Sequence, residues 1–255
     1  MTNSPDPTSV ELAARLGAQA TVMDVTTSTA LSSCVREVRL RGDATVTAGV
    51  AGNDVMIRLF DENGRAIRRR YSVRDVDEVH DELVLWVTTD HDGPGVRWAL
   101  DARAGDTVDV VGPRGKIVLD PLADWHLFVG DVSGLAAFYR LAQSIEVPGR
   151  AIFIVEIDHP DDSLTALFDE GLGVTGIFVD RNGRRLDDPA GLLSGLATFA
   201  FPPDAGHAYL FGEFHVMRVL ESALLDRGLA PNAISHKSFW RVGRHNADHG
   251  EPQKD

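Results

Sequence analysis

The chain has 255 residues, with 38 acidic against 25 basic side chains and a net charge of -13, a balance that excludes a broad nucleic-acid-binding surface. Its single cysteine, Cys34, excludes an internal disulfide and any metal or Fe–S centre built from several thiols. No apolar run reaches the roughly 18 residues of a membrane-spanning helix, and residues 1–7 lack the basic and apolar regions of a signal peptide, so a cytoplasmic setting is expected.

In chain order, residues 1–8 read as disordered, and residues 10–20 have a helical composition with Glu11 and Arg15 four apart. Residues 1–29 are thus expected to be a disordered or short helical extension. From Cys34 the pattern turns to short strands at 35–40, 54–60, 83–87 and 107–111, separated by Gly, Asp and Asn turns. Such spacing predicts an antiparallel barrel or sandwich over 30–120. Near Pro121 the character changes. A short apolar run at 126–129 ends at Gly130-Asp131, and Leu135, Phe138, Tyr139, Ala142 and Ile145 then recur at helical spacing. Residues 151–157 are almost continuously apolar, as in a buried parallel strand. A weaker strand at 174–179, a helix at 190–200, a strand at 208–211 and a helix at 213–227 complete an α/β pattern over 121–245. A disordered tail is expected at 246–255. The nine histidines show no tight ligand spacing, and His245 and His249 fall in or beside this polar tail, so no resident metal is expected.

Three stretches carry chemistry. In Arg69-Arg70-Tyr71-Ser72-Val73-Arg74, an extended chain puts Arg69 and Tyr71 on one face and turns Ser72 to the other. A forked guanidinium suits a pyrophosphate, a phenol ring can stack, and a serine can donate to a ring nitrogen. A basic edge strand with a surface tyrosine would read the same way. His91-Asp92-Gly93-Pro94-Gly95-Val96-Arg97-Trp98-Ala99 is a Gly/Pro turn entering a short helix, whose first N–H groups can face phosphate. Gly130-Asp131-Val132-Ser133-Gly134 is a strand-to-helix crossing without the G-x-G-x-x-G pattern, and a plain βα turn fits it equally.

These stretches, with Gly112-Pro113-Arg114-Gly115, Phe211-Gly212-Glu213 and Ser238-Phe239-Trp240-Arg241-Val242-Gly243, resemble the siderophore-interacting protein family. Its members are FAD-dependent ferric-siderophore reductases of the ferredoxin-reductase-like superfamily. The resemblance implies a six-stranded antiparallel Greek-key barrel for FAD, followed by a parallel-sheet α/β domain for NAD(P)H. It implies that Arg69 binds FAD phosphate, that Tyr71 packs on the isoalloxazine and that Ser72 and Val73 hydrogen-bond near its edge. His91 would approach the adenosine side, and Gly93, Gly95, Val96, Arg97, Trp98 and Ala99 would close over the pyrophosphate. Trp98 also reads as a core residue between barrel and helix. Gly130, Asp131, Ser133 and Glu213 would form the nicotinamide nucleotide site, with Trp240 as an aromatic lid or as ordinary strand packing. Where the family carries Gly-Asp-Glu-Thr, this chain has Val132 and Ser133, which removes a polar contact; Phe211 replaces an alanine and is expected to narrow the nicotinamide pocket. Arg114, Lys237 and Arg241 are the basic residues expected to draw an anionic ferric chelate, with surface solubility as the alternative. Three classes stay open at this point. They are reduction of a ferric siderophore with release of Fe(II), an NAD(P)H–flavin oxidoreductase with a quinone or protein acceptor, and a non-catalytic flavin-binding module. Reduced ferredoxin remains open as donor, and a monomer without membrane insertion is expected.

Overall fold

The structure, a computed structural model, describes residues 4–164 and 173–243. It divides into two compact units between Val118 and Leu119.

The first unit is a closed antiparallel barrel of six strands in the order β1-β2-β5-β4-β3-β6. The strands are β1 (Gln19–Ala30), β2 (Val35–Arg41), β3 (Asp54–Phe60), β4 (Ala66–Asp77), β5 (Glu82–Thr88) and β6 (Thr107–Arg114). Alternation dictates their faces: Val55, Ile57 and Leu59 of β3 enter the core with Met23, Val38, Leu40, Leu83, Leu85 and Val110. Each fully buried aliphatic side chain contributes about 1.5–3 kcal/mol. Between β3 and β4 the Asp61 carboxylate accepts the N–H groups of Asn63 and Arg65, and Gly64 takes the left-handed conformation that closes the turn. Two helices cap the barrel, α2 (Ala44–Ala48) and α3 (Pro94–Asp101).

The expected extension at 1–29 needs correction. Residues 7–16 form helix α1 (Pro7–Leu16), but β1 begins at Gln19 and belongs to the barrel. Its sequence, rich in threonine and serine, suits a pleated strand with one buried stripe at Met23 and Val25. Nor is the start disordered from residue 4 on. The Asp6 carboxylate caps α1 by accepting the Thr8 N–H and pairs with Arg58 at 3.2 Å, while the Ser9 hydroxyl donates to Asp109 at 3.1 Å. The expected tail at 246–255, with His245 and His249, lies outside the described residues.

The second unit is a parallel sheet ordered β11-β10-β7-β8-β9. Its strands are β7 (Trp125–Asp131), β8 (Ala151–Ile157), β9 (Thr175–Asp180), β10 (Gly206–Glu213) and β11 (Ile234–Trp240). Every residue of β7 and β8 is buried, which is why these strands are mostly apolar, with His126, Asp131 and Glu156 as the buried exceptions. Helices α5 (Ala190–Thr198) and α6 (Phe214–Asp226) cover one face, packing on Leu127, Val129, Ile154 and Leu210. Helix α4 (Leu135–Gln143) covers the other, where Phe138 and Tyr139 meet Phe128 and Phe153. At the amino ends, His207 bridges the segment before β7 and strand β11, with Nδ1 3.0 Å from Asp120 Oδ2 and Nε2 2.9 Å from Ser235 Oγ. The chain enters at central β7, adds β8 and β9 on one side, then returns to place β10 and β11 on the other. The order therefore reverses between β7 and β10, and a crevice opens outside the carboxyl ends of strands at such a switch point. Among the described residues no helix is long and apolar enough to cross a membrane.

Candidate functional site

In the barrel unit, β4 pairs with β3 so that Arg69 lies opposite Ile57, Tyr71 opposite Val55, and Ser72 opposite Asp54. Arg69 and Tyr71 thus share the face of the buried β3 residues, and Arg70 takes the other, where it grips the buried Asp54 carboxylate at 2.6 Å. Helix α3 starts at Gly93 with no side-chain cap and has Pro at its first position. The Arg97 N–H bonds back to the Gly93 carbonyl, so the helix start leaves the Gly95 and Val96 N–H groups ahead of its first turn. A Cβ placed on Gly95 would collide with Tyr71 Oη and lie 3.6 Å from Arg69 Cγ. Two stretches more than twenty residues apart therefore converge: a guanidinium, a phenol and a bare helix N-terminus.

The electrostatics of this corner are those of a desolvated donor set. Burial pulls the Arg69 guanidinium below its ordinary pKa, and burial pushes the Tyr71 phenol well above its own, keeping it protonated. Arg69 Nη1 donates to the Arg68 carbonyl at 2.9 Å. A phosphate beside Arg69 and the α3 start would offset the desolvation, so the donor set fits the diphosphate of a dinucleotide.

Other members of the expected set take more specific places. Trp98 packs on Tyr71, ring centroids 5.7 Å apart, and against the barrel core. Val96 and Ala99 bury their side chains in the barrel, and Ala99 lends its carbonyl to the Ser28 hydroxyl. The Val73 side chain is buried and its N–H is already donated to the Asn53 carbonyl. Ser72 is half-buried, Arg97 exposed, and His91 exposed beside Asp90 at 2.9 Å. Arg114 lies on β6 with Nη1 2.6 Å from Met56 Sδ.

In the α/β unit, the switch point gathers Gly130, Asp131, Ser133, Glu213 and Trp240. A Cβ on Gly130 would run into the Phe211 carbonyl, so only glycine lets the ends of β7 and β10 close up. Asp131 is 7% exposed. Its Oδ1 accepts the Ser133 N–H at 2.9 Å and the Ser133 hydroxyl, and its Oδ2 accepts the Glu213 N–H and the Trp240 indole N–H, both at 3.1 Å. Glu213 caps α6 through the His215 and Val216 N–H groups and reaches the Val242 N–H at 3.2 Å. Lys237 Nζ stands 5.8 Å from the centre of the Phe239 ring, and the Arg241 guanidinium 4.7 Å from that of Phe214.

One expectation about this unit is corrected. Phe211 is 2% exposed and stacked between Phe138 and Phe239, at 5.3 and 5.2 Å, so it fills the interior rather than narrowing an open pocket. Val132 is 6% exposed and buried too. One neighbour escaped sequence reasoning: Arg218 lies over the Phe214 ring at 6.0 Å, on the side chain four residues along α6. That i, i+4 spacing was the available signal.

The comparisons agree with this division. Residues 45–117 match the model of the siderophore-interacting FAD-binding domain, and residues 123–243 match that of the siderophore-interacting protein. An uncharacterized protein of Mycobacterium tuberculosis is 32% identical over 190 residues, covering 69% of this chain and 65% of its own length. The NADPH-dependent ferric-chelate reductase of Escherichia coli is 26% identical over 179 residues, 66% of each chain. The crystal structure of a siderophore utilization protein from T. fusca superposes with a TM-score of 0.77 at 24% identity, covering 91% of this chain and 96% of that one, a likeness of fold. With both halves of the chain matched by the two domains of one family, the chain belongs to the siderophore-interacting proteins.

Proposed function

We propose that the protein is a flavin-dependent reductase that passes electrons from NAD(P)H through FAD to a ferric siderophore, releasing iron as Fe(II). The observation that carries this reading is the convergence of Arg69, Tyr71 and the Gly95 turn of α3 inside the region matched by an FAD-binding domain. Bound there, FAD would supply hydride acceptance and single-electron release, chemistry that no side chain of this chain offers.

The protein's own contribution is binding, orientation and exclusion of water. Arg69 and the Gly95 and Val96 N–H groups hold the diphosphate; Tyr71, kept protonated by burial, supplies a ring and a donor at fixed depth. Ser72 lies on the opposite face of β4; its proposed bond to the ring edge rests on the family resemblance alone. In the α/β unit, Gly130, Asp131, Ser133, Glu213 and Trp240 build the floor of a nicotinamide nucleotide site at the switch point. Lys237 and Arg241 attract the anionic chelate, an effect that acts on encounter and fades with salt. With Phe211 buried in packing, it does not argue for a site that has lost turnover.

The test is stepwise. The purified protein should release or take up FAD, bleach on mixing with NADH or NADPH under argon, and regain its colour when a ferric chelate is added with a ferrous trap present. Absence of any flavin uptake overturns the reading at its root. Reoxidation by quinones but not by ferric chelates assigns the protein to a different acceptor.

A further inference from the structure

We infer that Asp131 is a positioning residue that straps the Trp240 indole across the end of β10, and so sets the wall of the nicotinamide nucleotide site. The inference rests on the nucleotide-binding reading of the switch point given above.

Asp131 ends β7 and Trp240 ends β11, and in the sheet β10 lies between them. An indole on β11 can reach a carboxylate on β7 only by passing over β10. Two features allow it. The β10–β11 pairing slips between Gly212 and Glu213, so that Ser238 faces Gly212 but Trp240 faces Glu213. A slip of this kind re-aims the side chain that follows it. Directly beneath the crossing is Gly212, at φ 153°, where a Cβ would lie 2.5 Å from Asp131 Oδ2. Any larger residue would block the contact. The Trp240 N–H then meets Oδ2 at 3.1 Å.

The same carboxylate already accepts the Ser133 N–H, the Ser133 hydroxyl and the Glu213 N–H. With four donors on two oxygens, in a residue that is 7% exposed, it has little capacity left for a ribose hydroxyl. Asp131 therefore acts on a nucleotide through the indole it holds rather than by touching it. A hydrogen bond to a charged acceptor is strong enough to fix a half-buried indole that has only one polar atom.

The experiment uses the full-length, FAD-loaded protein labelled with ¹⁵N. The chain has four tryptophans, so four indole N–H signals are expected, and the one lost in Trp240→Phe identifies Trp240. In the unaltered protein the Trp240 signal should exchange about tenfold more slowly than that of Trp98, as a bond to a carboxylate implies. In Asp131→Asn it should exchange about tenfold faster than in the unaltered protein. These readings need no nucleotide, so they stand or fall separately from nicotinamide use. KM for NADPH then tests the consequence. Asp131→Asn should raise it about tenfold, and in the Trp240→Phe background the same change should add less than about twofold. Equal exchange at Trp240 and Trp98 overturns the strap even if Asp131→Asn does not fold. Effects on KM that multiply across the two backgrounds overturn the positioning role and make Asp131 a direct contact.

Discussion

Replacing Gly95 by alanine tests the central corner of the barrel, because the structure makes the sign of the effect depend on one oxygen atom. Gly95 is not in a left-handed conformation, so the helix start itself accepts alanine, and the gain from helix propensity is at most about 1 kcal/mol. Against this, the new Cβ would overlap Tyr71 Oη, while its next neighbours, Tyr71 Cζ and Arg69 Cγ, both lie at 3.6 Å, an ordinary contact. Overpacking of one methyl group costs about 1–3 kcal/mol. Gly95→Ala should therefore destabilise the protein by about 1 kcal/mol. In a Tyr71→Phe background, where the colliding oxygen is gone, the same substitution should be neutral or stabilising by up to about 1 kcal/mol. Urea denaturation of the four proteins gives both numbers from the midpoints at constant slope. FAD titration runs alongside. Gly95→Ala should weaken binding about tenfold, since the collision displaces both the helix start and the phenol. A Gly95→Ala effect of the same sign and size in both backgrounds would refute the approach of α3 to Tyr71, and with it the geometry proposed for the diphosphate.

Arg69→Ala should leave the fold intact and weaken FAD retention at least tenfold, measured by flavin released on gel filtration, because it removes a charged phosphate contact. Lys237→Ala and Arg241→Ala should lower the low-salt second-order rate of flavin reoxidation by an anionic ferric chelate several-fold, converge on the unaltered rate as salt rises, and leave reduction by NAD(P)H alone. Val132→Glu should destabilise the protein by about 2 kcal/mol rather than improve nucleotide use, since it puts a carboxylate where a 6%-exposed valine packs; a raised rate of reduction would contradict this. Burial, with His207 and Arg150 nearby, pushes His126 from 6.5 down to about 4, Asp120 opposing. The native state thus refuses a proton that the unfolded chain accepts as pH falls below 6.5, and stability drops by roughly 2 kcal/mol by pH 4 after allowance for screening. His126→Gln should flatten that part of the stability–pH curve, and an unchanged slope would show that other groups carry it.

The sequence by itself determined the elements with a strong period and the division of the chain. Val55, Ile57 and Leu59 alternate because one face of β3 is buried, and β8 is apolar but for Glu156 because both faces of a central parallel strand are covered. The change from alternation to strand-and-helix near Pro121 likewise announced two units, which divide after Val118. The sharing of a face by Arg69 and Tyr71 followed from the two-residue repeat of a strand. What the sequence left open lay wherever a weak local signal is decided by a distant partner. The threonine- and serine-rich β1 has a buried stripe of only two fully buried residues, and it becomes a strand because β2 and β6 pair with its two edges. Phe211 looked like an obstruction in a pocket until α4 and β11 supplied Phe138 and Phe239 to stack on it. Asp131 and Trp240 stand 109 positions apart and meet only because β10 inserts between their strands, slips by one residue and carries a glycine at the crossing. Periodicity records which face of an element is buried; sheet order and register decide what that face meets.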